Sequence, residues 1–221
     1  MSPEAPVDEL AALFAEVAAG RFPPSDFGFS VIGPDRTTGQ HAVLSFSGHA
    51  VIATDRRAED LAALGADGIG GSEHPDVLRH LAGPDGWIGV LDAVLLARGT
   101  GRGGTTLAPT TELDDHRRTV YARSTRVDVM VLADHRGLIT LGRGLGGRAE
   151  IGIEVVDDAP PGTGRALLAD LLDEVPAGQE IWASCAPGNA RSLRALLAAG
   201  FEVIGSEVLL RPSPADPSTA G

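Results

Sequence analysis

The stretch "PPGTGRALLADLL", Pro160–Leu172, follows an apolar run, "AEIGIEVV", at residues 149–156. The run reads as a strand and the stretch as a helix opened by a Gly-rich turn. Gly162, Thr163 and Gly164 would present backbone N–H groups at the helix N-terminus. Unpaired N–H groups at the positive end of a helix dipole make an anion site. Glycine lets an anion approach the backbone closely. Read plainly, the same letters are an ordinary helix start, where proline in the first turn is common.

The segments around this stretch set its context. "RVDVMVLA", "GLITLGR" and "AEIGIEVV" read as three strands joined by the turns "DHRG" and "GLGGR". Connections this short imply an antiparallel meander. Downstream come strand "EIWASCA", helix "NARSLRALLAAG" and strand "FEVIGSEVLL"; upstream, "TELDDHRRTVYARS" reads as a helix. A meander followed by strand, helix, strand, helix, strand describes a mixed sheet with helices packed against it. In the first half, "VDELAALFAEVAAG" places Leu10, Leu13, Phe14 and Val17 on one helical stripe. "FGFSVIG" and "HAVLSFSGHAVIAT" read as strands, and "RRAEDLAAL" and "HPDVLRHLAG" as short helices. "GWIGVLDAVLLARG" reads as one long apolar strand and "GTGRGGTTLAPT" as a flexible loop.

The 221 residues, 43% apolar, suffice for one core or two small lobes, with a weak division near residue 84. The net charge of -12 opposes nucleic-acid and anionic-lipid binding, which need basic surface. All 18 basic residues are Arg. The absence of Lys excludes a Walker-type loop, a Schiff-base Lys and the kinase Lys. Cys185 is the single cysteine, so no intrachain disulfide forms, which fits a reducing cytoplasm. The start "MSPEAPVDELAAL" carries acid where a signal peptide needs positive charge, and no apolar run approaches the roughly 18 residues of a membrane span. A cytoplasmic protein with a loosely ordered tail, "RPSPADPSTAG", is expected.

Two G-x-G-x-x-G matches, "GTGRGG" and "GRGLGG", are not dinucleotide fingerprints, because neither opens a helix. His74 and His80 lack metal-ligand spacing, His41 and His49 flank a strand pair, and no metal is expected. Cys185 reads as a small core residue, Trp87 and Trp182 as core anchors, and "DDHRR" as a solvated helix face.

The order of strand, G-x-G helix, strand, N-x-x-S helix and G-F strand resembles the GCN5-related N-acetyltransferase (GNAT) superfamily, and within it GNAT-like proteins of actinobacteria. The resemblance covers about residues 85–210 and is specific in the last 60 or so. It implies an α/β (α+β) fold: a mixed, mostly antiparallel central sheet flanked by helices. The N-terminal α/β extension would be residues 1–84, either a domain of its own or part of the same sheet, the acetyltransferase domain 85–211 and the flexible tail 212–221. Acetyl-CoA is the implied co-substrate. Its pantetheine arm would pair with the backbone of Val155 and Val156, where two neighbouring strands splay. Gly162, Thr163, Gly164 and Arg165 would hold the pyrophosphate. Asn189 would bond the pantetheine, and Ser192 would lie near the phosphate end. Arg191 and Arg194 would reach the adenosine phosphates or remain solvated helix charges.

Amine acetylation needs the amine deprotonated, the thioester carbonyl polarised and the thiolate released. Strand alternation places Glu150, Gly152 and Glu154 on one face, so Glu154 or Glu150 is the candidate base. A backbone N–H near Val155 or Val156 is the candidate oxyanion donor. The chain departs from the family pattern at three places. Ala159 stands at the first loop position, Pro160 and Pro161 carry no N–H, and Leu196 occupies the place of the usual Tyr. Tyr121 is the only Tyr. The implied function is N-acyl transfer from acetyl-CoA to a small-molecule amine or a protein N-terminus. The alternative is a GNAT-like module that binds CoA or a protein without catalysis. A homodimer is compatible with either; nucleic acid and membrane are not expected partners.

Overall fold

The computed structural model describes residues 8–213. Most of the tail expected to be loose, and the first seven residues of the acid-carrying start, lie outside the described residues. The elements are helix α1 (Glu9–Ala18), strands β1 (Phe29–Ile32), β2 (His41–Phe46) and β3 (His49–Ala53), and helices α2 (Ala58–Ala63) and α3 (Pro75–Ala82). Then come β4 (Trp87–Ile88), β5 (Asp92–Arg98), β6 (Ala108–Pro109), α4 (Arg117–Thr125), β7 (Val127–Asp134), β8 (Gly137–Arg143) and β9 (Ala149–Val155). The last four are α5 (Thr163–Glu174), β10 (Glu180–Cys185), α6 (Ala190–Ala198) and β11 (Glu202–Arg211).

The eleven strands among the described residues join one sheet in the order β1-β3-β2-β11-β5-β10-β9-β8-β7-β6, with β4 also on β11. Only β1–β3 and β9–β10 are parallel pairs; the others are antiparallel. The pattern predicts a mixed sheet with helices packed against it, and the architecture is that, mostly antiparallel as the resemblance implies. The β7-β8-β9 meander is present, and β2 lies beside β11, so the N-terminal strands continue the same sheet.

Side-chain alternation divides the sheet into two covered faces. On one, Leu95, Ala97, Ile139, Ile151 and Ile181 meet Leu167, Leu168, Leu171 and Leu172 of α5 and Leu196 of α6. Further along that face, Val43, Ile52, Val208 and Leu210 meet Leu61, Val77 and Leu81 of α2 and α3. On the other face, Val94, Leu96 and Trp182 meet Leu10, Phe14 and Val17 of α1. Asp8 starts α1 by accepting from the amides of Leu10 and Ala11 at 3.1 and 3.2 Å. The predicted stripe is the buried one, except that Leu13 packs only partly. Trp182 is a core anchor, edge-on to Phe14 with ring centroids 5.2 Å apart. Trp87 is only half-buried and lies under the Arg211 guanidinium.

Three expectations need correction. The single strand across residues 86–99 is broken. β4 and β5 both pair with β11, but between them the Gly89 amide donates to the Leu209 carbonyl at 2.8 Å while Val90 and Leu91 turn outward. The loop after β5 is anchored rather than flexible. Amides of Thr100, Gly101 and Gly103 donate to carbonyls of Leu172, Val175 and Asp173 at 2.7–2.9 Å. They satisfy carbonyls at the C-terminal end of α5 that have no helical partner. A Cβ at Gly99 would lie 2.4 Å from the Pro176 carbonyl, so glycine is required by close approach. Finally, α4 starts only at Arg117, where His116 Nδ1 accepts from the Arg118 amide.

Candidate functional site

β9 and β10 run side by side but pair at only two positions, Glu150 with Trp182 and Ile151 with Ala183. β8, by contrast, accompanies β9 over all seven residues. Past Ile151 the parallel pair parts, and Pro187, with no N–H to offer, follows the end of β10. Peptide groups on that edge of β9 then face a gap instead of a ladder partner.

The gap opens on one side into a cavity of about 210 Å³ whose walls include Asp92, Tyr121, Gly152, Cys185 and Leu196. On the other it opens into a groove of about 640 Å³ over the start of α5. Arg118, Ile153, Asn189 and Ser192 line both, so the two adjoin.

The groove contains most of the residues nominated from the sequence. Val155 and the whole segment Gly162–Arg165 line it, as do Asn189 and Ser192. Gly162 adopts φ +92°, a left-handed turn natural to glycine, and no side chain caps α5. The Thr163 hydroxyl and amide both turn back to the Pro160 carbonyl, at 2.8 and 3.2 Å. That leaves the Gly164 and Arg165 amides as the first-turn donors. Arg117, Arg165, Arg191 and Arg194 also line the groove, a local excess of positive charge in an acidic chain. Asn189 caps α6, its Oδ1 accepting from the Ser192 amide at 3.2 Å, which leaves its NH₂ group for a ligand. Helix-start amides, guanidinium groups and the apolar wall of Ile153, Val155 and Ala195 together fit a polyphosphate bearing a slender, partly apolar arm.

Val156 is different. It is exposed, and its amide donates to the Arg136 carbonyl at 3.0 Å, so it is not an oxyanion donor.

The two glutamates do share one face of β9, as alternation requires, but arginines occupy both. Glu150 is buried, with Arg126 at 2.6 Å and Arg148 at 2.8 Å. Burial opposes its charge, yet the two guanidinium groups outweigh burial and hold its carboxyl well below the usual range. Arg148 also binds Glu207 at 2.7 Å, and Ser184 donates to Glu207 at 2.6 Å. This buried chain of two acids and two bases is a structural support, and Glu150 has no free oxygen with which to take a proton. Glu154 meets Arg117 at 2.6 Å and Arg118 at 3.4 Å. Burial raises its carboxyl, but the Arg117 hydrogen bond and the charges of both arginines bring it below the ordinary value. It ties α4 to β9 rather than waiting to be protonated. Both "DDHRR" arginines line the groove; Arg117 stays exposed, as on a solvated helix face, while Arg118 is partly buried.

A third acid of the cavity, Asp92, stands at the first position of β5. Burial raises its carboxyl, and the neighbouring negative charges of Glu207 and Glu150 raise it further, to about 6. Sequence reasoning missed it, because it stands alone at the head of an apolar strand. Tyr121, on α4, faces the same cavity; burial first, then Asp92, pushes its phenol above the ordinary value. Burial likewise raises the Cys185 thiol, which fits a core cysteine and not a nucleophile.

No protein-family model matches the chain, and no curated protein matches it by sequence. Among solved structures, one of the GNAT family from Novosphingobium aromaticivorans DSM 12444 is similar over 59% of this chain and 69% of its own, at 16% identity and a TM-score of 0.40. A GCN5-related N-acetyltransferase from Kribbella flavida is similar over 66% of this chain and 65% of its own, at 11% identity and a TM-score of 0.37. Both are partial likenesses to structures of the GNAT family, at low identity.

Proposed function

We propose that the chain transfers an acyl group from acetyl-CoA to an amine. The observation that carries this reading is the parting of β9 from β10 past Ile151 and Ala183, beside the uncapped start of α5. A thioester needs such an opening through the sheet, with the acceptor on one side and the nucleotide on the other.

Gly164, Arg165, Arg191 and Arg194 hold the phosphates, and Asn189 bonds the arm along Val155. Acetyl-CoA supplies the activated thioester carbonyl. A peptide N–H on the free edge of β9 polarises that carbonyl. Asp92 takes the proton from the acceptor ammonium. A base with a pKa of about 6 is mostly ionised at neutral pH yet retains affinity for a proton. Asp92, with Glu207 and Glu150 behind it, also favours a cationic acceptor. Tyr121 remains protonated and gives its hydrogen to the leaving thiolate, a role for which Leu196 is unsuited.

Calorimetry with CoA and acetyl-CoA, paired with a thiol-release assay over an amine panel, tests the reading. Saturable binding and amine-dependent thiol release are expected. Absence of binding at millimolar ligand overturns it. Binding without thiol release leaves a CoA-binding module.

A further inference from the structure

At the β1 end of the sheet, three side chains meet that acyl transfer does not use. His49 opens β3. Its Nδ1 lies 2.7 Å from Asp26 Oδ1 and its Nε2 3.2 Å from Ser30 Oγ. An ionised carboxylate can only accept, so Nδ1 carries a proton, and in the neutral ring Nε2 accepts from the Ser30 hydroxyl. That is the tautomer a serine nucleophile requires of its base. His49 is buried, whereas Ser30 is exposed on β1, the terminal strand of the sheet among the described residues.

The local backbone is built to hold this contact. Phe27 adopts φ +61°, a conformation costly for a bulky side chain. Its amide donates to the Gly48 carbonyl at 2.8 Å, and its carbonyl accepts from the Gly68 amide at 2.9 Å. A Cβ at Gly68 would lie 2.6 Å from the Gly28 and Gly48 carbonyls, so this crossing admits only glycine. The kink at Phe27 brings Asp26 against His49, and the Gly28 amide fixes the carboxylate at 2.9 Å. The hydrogen bonds from His49 and Gly28 hold the Asp26 carboxyl below its ordinary value. His41, on the adjoining strand, has no such arrangement. Its hydroxyl partner Thr54 is buried, and Asp55 is 4.0 Å away.

Exposed apolar residues lie on the segments that adjoin the three side chains. Phe27 and Ile69 are 65% and 70% exposed, and Gly68, which precedes Ile69, is bonded to Phe27. Phe22, also exposed, packs on Phe46, the cross-strand partner of His49. Because Ala50 and Thr54 donate to the Gly28 and Ile32 carbonyls, the peptide groups of 28, 30 and 32 face β3. The Val31 amide, next to the serine, therefore lies on the open edge, available to an oxyanion.

We propose that Ser30, His49 and Asp26 form a nucleophilic triad that hydrolyses small, uncharged carboxylic esters. Ser30 Oγ bonds to the ester carbon as His49 Nε2 takes the hydroxyl proton. The carbon–alkoxide bond breaks, and the alcohol leaves with that proton. Water then attacks the acyl-serine with His49 again as base, releasing the carboxylic acid and restoring Ser30. Asp26 is the positioning residue.

The test uses the full chain with p-nitrophenyl butyrate as substrate and diethyl p-nitrophenyl phosphate as label. Saturable nitrophenolate release is expected, with the phosphoryl adduct on the Ser30 peptide by mass spectrometry. Ser30→Ala and His49→Gln should each lower kcat/KM by about 100-fold or more, with unchanged thermal unfolding for the exposed Ser30→Ala. Asp26→Asn should lower kcat and leave KM in place. Undiminished hydrolysis by Ser30→Ala, an adduct on another residue, or neither turnover nor adduct in the parent overturns the proposal.

Discussion

Replacing Asp92 with Asn exchanges a carboxylate for a neutral group of the same shape, at a position with two other acids close by. Burial, then Glu207 and Glu150, raise the folded-state carboxyl from 3.8 to about 6. The unfolded chain keeps the ordinary value. Between the two values the folded protein therefore binds more protons, and its stability falls as pH rises through this window. The full difference corresponds to roughly 3 kcal/mol. The carboxyl is partly open to the cavity, and solvent screening reduces the figure to about 1–1.5 kcal/mol. Asn carries no charge to penalise. At about pH 8, Asp92→Asn should therefore melt about 3–5 °C above the parent by scanning calorimetry. The gap should narrow by roughly half near pH 5, where the folded parent is mostly protonated. The same variant should lose roughly 10²–10⁴ of its acyl-transfer rate and the acid limb of its pH profile. A melting gap that does not move with pH, or a variant less stable than the parent at about pH 8, refutes the acid-crowded cavity.

Other perturbations probe the surrounding structure. Arg148→Ala strands Glu207 as a buried charge, leaves Glu150 with Arg126 alone, and removes a guanidinium stacked over Phe14 at 4.7 Å. It should cost about 3–5 kcal/mol in urea unfolding. Tyr121→Phe should lower kcat about tenfold with KM unchanged, while thiol leaving groups of lower pKa restore the rate. Arg165→Ala and Arg191→Ala should each weaken CoA binding several-fold by calorimetry, with a smaller loss for a dephosphorylated pantetheine fragment, because each removes one phosphate contact.

Local periodicity carried most of the element positions. "GLITLGR" is β8 residue for residue, and Asn189 stands at the head of α6 where the letters place it. What failed depended on contacts distant in sequence. The break at residues 89–91 was invisible because apolar letters continue through it; Leu209, on β11, decides it. The glutamates of β9 were nameable from alternation, but their arginine partners come from residues 117, 118, 126 and 148, which no strand pattern links to them. Asp92 and Tyr121 belong to no motif. They acquire their character only when β5 and α4 bring them to one cavity, where burial and neighbouring charge act on them.

The position of β11 has a consequence for biosynthesis. Residues 202–211 lie between β2 and β5, so the N-terminal strands have no neighbour on that side until this late segment has been made. A growing polypeptide would emerge with Val43 and Leu44 waiting for partners about 160 positions further on. Long-range pairing of this kind slows folding and prolongs the exposure of sticky edges. Premature termination shortly before residue 202 would thus unseat the amino-terminal half as surely as the carboxy-terminal one.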